Sequence, residues 1–126
     1  MPSYNYDNNY DPAMPVMTIG LSPSGEDISQ QELTALIDSG ADGTMLPVDI
    51  LTAVNARYVG QYKMRGVVGE AITIHRYLIA VHVGEYTIHG IRAVAVPQGR
   101  EAIVGRDVLN QLTVVLNGLA HIVDIH

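Results

Sequence analysis

The chain of 126 residues contains no cysteine, no tryptophan and no phenylalanine. Without cysteine there is no disulfide scaffold, no thiolate zinc site and no thiol nucleophile. The only aromatic residues are seven tyrosines, so the core must be built mainly from Ile, Val, Leu, Ala and Met. Such a composition favours strands over helices. Basic charge is scarce as well: 7 Lys and Arg stand against 13 Asp and Glu, a formal net charge of −6. A nucleic-acid-binding domain normally carries a basic face, so no nucleic-acid partner is expected. No apolar run approaches the roughly 18 residues that span a membrane. Residues 1–11 lack the basic-then-apolar order of a signal peptide. The expectation is a cytoplasmic protein with no membrane partner.

What remains is a chain that is 48% hydrophobic, enough to bury a core in one domain. Residues 1–13 are rich in Asn, Asp and Tyr and read as a flexible tail, with residues 14–126 as the folded domain. A first apolar stretch, 16–21, ends in the turn-forming segment 22–27. A strand over 32–38 is nearly all apolar at its end and reads as buried on both faces. Pro47 stands at the first turn of a short helix over 47–54. Segments 57–64 and 71–83 flank a glycine-bearing tip and form a long hairpin. A β-branched run, 85–96, is broken by Gly90. Another short helix is expected over 106–111. Asn117-Gly118, between two apolar runs, predicts a tight type I′ hairpin turn. The sum is a mostly β domain, closed or sandwich-like, of about seven strands with one or two short helices.

The segment Ala35-Leu-Ile-Asp-Ser-Gly-Ala-Asp-Gly-Thr-Met-Leu-Pro47 carries the clearest chemistry. Asp38 ends an apolar strand at the edge of the expected core. A lone carboxylate there is expensive unless it is hydrogen-bonded or shares a proton. Gly40 permits a tight turn that brings backbone N–H groups to it, and Ser39 adds a hydroxyl. The plain alternative is a strand-end turn in which Asp38 caps only local backbone.

Three motifs, in order, resemble the retropepsin family, the retroviral-type aspartic proteases. Leu36-Ile37-Asp38-Ser39-Gly40-Ala41-Asp42 is similar to the family's active-site loop. Met64-Arg65-Gly66-Val67-Val68-Gly69 is similar to its flap. Ala102-Ile103-Val104-Gly105-Arg106-Asp107-Val108-Leu109 is similar to the segment leading into its C-terminal helix. The resemblance covers roughly residues 14–126 and implies a closed, barrel-like acid protease domain. It implies that Asp38 is catalytic, within an active-site loop of Ser39, Gly40, Ala41 and Asp42. It further implies a flap of Gly66, Val67, Val68 and Gly69, and loop bracing by Arg106 against Asp42. Gly43, Met45, Ile72, Ile103 and Val104 are the implied walls of an apolar cleft for an extended polypeptide. Aspartic proteases use two carboxylates sharing one proton. A chain with one Asp-Ser-Gly therefore supplies half a site, and a homodimer follows, with no cofactor and no metal. The C-terminal hairpin departs from viral members and is closer to cellular and bacterial ones.

Two other readings stay open on sequence. Ile37-Asp38-Ser39-Gly40 also resembles a motif of the trimeric dUTPases, although Ala41-Asp42-Gly43 stands where that family has a tyrosine. A retropepsin-like dimerisation or peptide-binding module without activity is the other. His75, His82 and His89 recur every seven residues. Odd spacing puts neighbours on opposite faces of a continuous strand, which argues against a metal site.

Overall fold

The computed structural model describes residues 2–65 and 69–126. In chain order the elements are β1 (Ser3–Asn5), β2 (Val16–Pro23), β3 (Gln31–Ile37), β4 (Met45–Pro47) and α1 (Val48–Ala53). Then follow β5 (Arg57–Arg65), β6 (Ala71–Val83), β7 (Tyr86–Val96), β8 (Ile103–Val104), α2 (Arg106–Leu109), β9 (Val114–Asn117) and β10 (Ile122–Ile125).

The larger sheet runs β2-β3-β8-β4-β7-β6-β5, and a further β2–β6 pairing closes six of these strands into a ring. Closure depends on the length of β6. Its residues from Ala71 to Leu78 pair with β5, and from Ile79 to His82 the same edge pairs with β2. One strand thus belongs to the barrel at its end and to an outlying hairpin at its start. Met17, Ile19 and Leu21 of β2 and Ile79, Val81 and Val83 of β6 alternate inward and are fully buried. Leu46, Leu51, Val104 and Val108 complete the interior from the other side. The core is aliphatic throughout, as the missing Phe and Trp require.

Several expectations change in the structure. Residues 1–13 are not a free tail along their described length. Ser3–Asn5 pairs with β10 in a three-stranded β1-β10-β9 sheet, Asp7 bridges Met14, and the Tyr10 hydroxyl donates to Glu101. Tyr4 and Tyr6 pack against the core, so composition misjudged a segment whose tyrosines are anchors. β3 is not buried on both faces: from Gln31 to Ala35 it alternates half-buried or buried with exposed residues, and Leu36 and Ile37 are half-buried. β7 is not broken at Gly90. The strand bulges there, with Ile79 opposite Ile91 but Val81 opposite Ile88, and Gly90 takes a φ of 76°. Asn117 does not sit in a two-residue turn. It pairs with Ile122 and accepts a hydrogen bond from the Ala120 N–H at 3.1 Å, an Asx-type closure of a four-residue loop.

Where β2, β6 and β7 meet, a polar trio stands at the barrel wall. Ser22, fully buried, lies 2.7 Å from His82 Nε2, and Thr87 Oγ1 lies 3.2 Å from Nδ1. Ser22 Oγ also donates to the Glu26 carbonyl at 3.0 Å. A neutral ring protonated at Nε2 satisfies all of these contacts. Burial lowers the His82 pKa from its ordinary 6.5; His89 adds to the effect and Asp27 opposes it. A depressed histidine contributes stability above its unfolded pKa and loses it as pH falls below that value. The urea midpoint should therefore fall between about pH 7.5 and about pH 5, and fall less in His82→Gln. Equal slopes in the two proteins would rule this contribution out.

Candidate active site

The loop after β3 is shaped by backbone bonds from both sides. The Asp38 N–H donates to the Val104 carbonyl at 3.1 Å, which ties the strand end to β8. The Gly40 N–H donates to Asp38 Oδ1 at 2.9 Å, and the Ala41 N–H donates to the Asp38 carbonyl at 3.2 Å. The Asp38 carboxylate is thus fixed by a turn that its own loop provides. Asp38, Ser39 and Gly40 are exposed in the single chain rather than sunk at the core edge.

Arg106 grips the loop from α2. Its N–H donates to the Ala41 carbonyl at 2.9 Å, Nη1 donates to the Ser39 carbonyl at 2.7 Å, and Nη2 pairs with Asp42. The guanidinium is divided between a carboxylate and a carbonyl, not bidentate on the carboxylate. Asp42 is 93% exposed, so the ion pair alone contributes little stability in the single chain.

A second clasp lies just behind, and sequence reasoning missed it. Thr44 is fully buried; its N–H donates to Asp107 Oδ2 at 3.0 Å and its hydroxyl to Asp107 Oδ1 at 2.8 Å. The Gly105 N–H reaches Thr44 Oγ1 at 3.3 Å. Asp107 also accepts from the Val108 N–H at 2.9 Å, so a carboxylate holds one loop and the start of one helix. The signal was adjacency: Thr44 and Asp107 each follow a residue already singled out.

The expected cleft residues divide. Gly43 and Met45 line a cavity of about 490 Å³, whose other walls include Asp42, Tyr62, Arg76 and Arg92. Ile72, Ile103 and Val104 do not line it. Ile72 is 54% exposed on β6, and Ile103 pairs with Leu36 and Met45. Val104 is fully buried, because strand alternation turns it into the core when Ile103 faces the other way. It cannot be a cleft wall. Gly69 takes a positive φ of 81° at the foot of the hairpin tip. The other expected flap residues, Gly66, Val67 and Val68, lie outside the described residues.

A closed barrel that carries an Asp-Ser-Gly turn at a strand end, with a long hairpin leaving its wall, has the layout of an acid protease domain. The chain belongs to the retropepsin-like aspartic protease family: the profile described as "gag-polyprotein putative aspartyl protease" matches residues 26–111. No curated protein matches the chain in sequence. Among solved structures it is similar to a retropepsin-like aspartic protease from Rickettsia conorii. That likeness has a TM-score of 0.61 and 10% identity, and covers 97% of this chain and 88% of the other. It is also similar to the EIAV protease complexed with the inhibitor HBY-793. There the TM-score is 0.55 and the identity 18%, over 86% of this chain and 93% of the other. At these identities the likeness speaks for the fold.

Gly105 is where loop and helix come closest. A Cβ at this position would lie 2.6 Å from the Gly43 carbonyl carbon and oxygen and 2.9 Å from the Ala41 oxygen. Backbone cannot yield as a flexible side chain can. Gly105→Ala should lower stability by about 1–3 kcal/mol in urea denaturation. Gly118→Ala, with nothing within 4 Å of its added Cβ, should change it by less than about 0.5 kcal/mol. Equal effects at the two sites would remove the packing argument.

Proposed function

We propose that the chain is an aspartic endopeptidase that acts as a homodimer, with one Asp38 from each subunit forming the catalytic pair. The observation that carries this reading is the single Asp-Ser-Gly turn, intact and hydrogen-bonded, in a chain of this family. Two carboxylates are needed, and the sequence supplies one Asp-Ser-Gly. An isologous dimer brings two equivalent copies together on its axis. The exposure of Asp38 to Gly40 in one subunit leaves the loop accessible to such a partner.

In this mechanism the pair shares one proton between two close carboxylates. The ionised carboxylate takes a proton from a water whose oxygen attacks the scissile carbonyl carbon. The protonated one gives its proton to the carbonyl oxygen, so the tetrahedral intermediate is a neutral gem-diol. Collapse breaks the C–N bond as the amide nitrogen takes up a proton and one gem-diol hydroxyl returns its own to the pair. The hairpin of β5 and β6 acts as the flap, which clamps an extended polypeptide and excludes water. The active site stays within polypeptide chemistry and draws on no cofactor or metal.

Cleavage of a peptide library should be optimal on the acidic side of neutral and decline as the pair loses its shared proton. Asp38→Asn should lower kcat roughly a hundredfold or more. Wild-type protein that cuts nothing between about pH 3 and about pH 8 would end the peptidase reading, as would an equally active Asp38→Asn. Full activity in a monomer would end the shared pair.

Arg106 holds the loop through Ser39 and Asp42, both next to the proposed axis. Arg106→Ala should weaken dimerisation, read as a shift toward the monomer in sedimentation velocity at micromolar concentration. An unchanged profile would confine Arg106 to the interior of its own subunit.

A further inference from the structure

The cavity beside Asp42 gathers two of the chain's few basic residues. Lys and Arg number only 7 in a chain of net charge −6, yet Arg76 and Arg92 both line this one cavity. Neither forms a salt bridge among the described residues. The two carboxylates on the cavity wall are already engaged, Asp42 by Arg106 and Asp107 by Thr44 and the Val108 N–H. With Arg106 counted, three guanidinium groups stand against two carboxylates here.

Arg76 is the more constrained of the pair. It is half-buried, and its Nε is buried with no hydrogen-bond partner among the described residues. Its guanidinium carbon sits 4.7 Å from the centre of the Tyr62 ring. Packing against an aromatic face holds a guanidinium in place and leaves its in-plane N–H groups free for an incoming acceptor. Around the two arginines the walls are apolar, formed by Met45, Ile74, Ile91 and Val94. Such walls suit a methylene stem with a charged end, and a fork of N–H donors suits a carboxylate.

We infer that this cavity is a substrate subsite selective for an acidic side chain, Glu or Asp, with Arg76 and Arg92 as its specificity-determining residues. The inference rests on the peptidase reading. The cavity begins at Asp42, four residues along the loop from Asp38. Asp38 itself does not line the cavity, so the bound acidic residue sets which polypeptides are held and not how the bond is cut. The negative charge of the whole chain repels acidic peptides in general, so selection for one acidic position requires a local site.

The test separates binding from cutting. Full-length Asp38→Asn protein is panned against a random decapeptide library, and the wild type is then given the selected peptides. Glu and Asp should be enriched at one fixed position, about tenfold over Gln and Asn. Arg76→Gln/Arg92→Gln on the same background should remove the enrichment. The single Arg92→Gln, at an exposed residue that cannot disturb the core, should reduce it. Absence of acidic enrichment at every position, or its persistence in the double variant, would overturn the subsite. Selected peptides that bind with acidic preference but are never cut would leave the subsite standing and overturn the peptidase reading instead.

Discussion

Two stretches of backbone, 41–44 and 104–107, come into direct contact at Gly105, and the geometry around Asp38 depends on that approach. Gly105 makes it sterically possible. The buried Thr44–Asp107 clasp holds it behind, and Arg106 holds it in front through Ala41, Ser39 and Asp42. The inner clasp is the less exposed part: Thr44 is fully buried and Asp107 half-buried, so a lost partner would leave polar groups of Thr44 unpaired away from water. The outer ion pair is solvated and positions more than it stabilises. The carboxylate of Asp38 is therefore presented by a rigid frame, although its own residue is exposed.

β6 does for the whole domain what Gly105 does for the loop. By changing neighbours from β5 to β2 at Leu78 and Ile79, it closes the barrel and projects a hairpin beyond it. The same strand carries core residues in its second half and cavity residues in its first. Ile79, Val81 and Val83 are buried, whereas Ile74 and Arg76 face the cavity. The bulge at Gly90 adjusts β7 alongside and places Gly90 and Arg92 on the same cavity wall. Barrel closure and cavity are consequences of one strand.

Much of the fold was legible because it depends on local chemistry. Asp38-Ser39-Gly40 reads as a turn from its own residues, the hairpin of 57–83 from its alternation and glycines, and the helix after Pro47 from the fixed φ of proline. The errors share a different cause. The N-terminal segment is polar by composition, yet Tyr4 and Tyr6 find a surface on the core that only the folded chain offers. Val104 lies in a motif beside the Asp38 loop, but strand alternation turns it into the core. Asn117-Gly118 suits a two-residue turn, but pairing of Asn117 with Ile122 lengthened the loop to four.

The sequence by itself determined the class of core, the mostly β character and the Asp38 turn, since each follows from residue types and their neighbours along the chain. It also determined that one chain holds one Asp-Ser-Gly. Only the tertiary structure decided that Thr44 meets Asp107 and that Arg76 and Arg92 converge on one cavity across 16 residues of sequence. These placements depend on barrel closure and on register. A one-residue change of register turns a side chain to the opposite face, and no local pattern records which face a distant strand will supply.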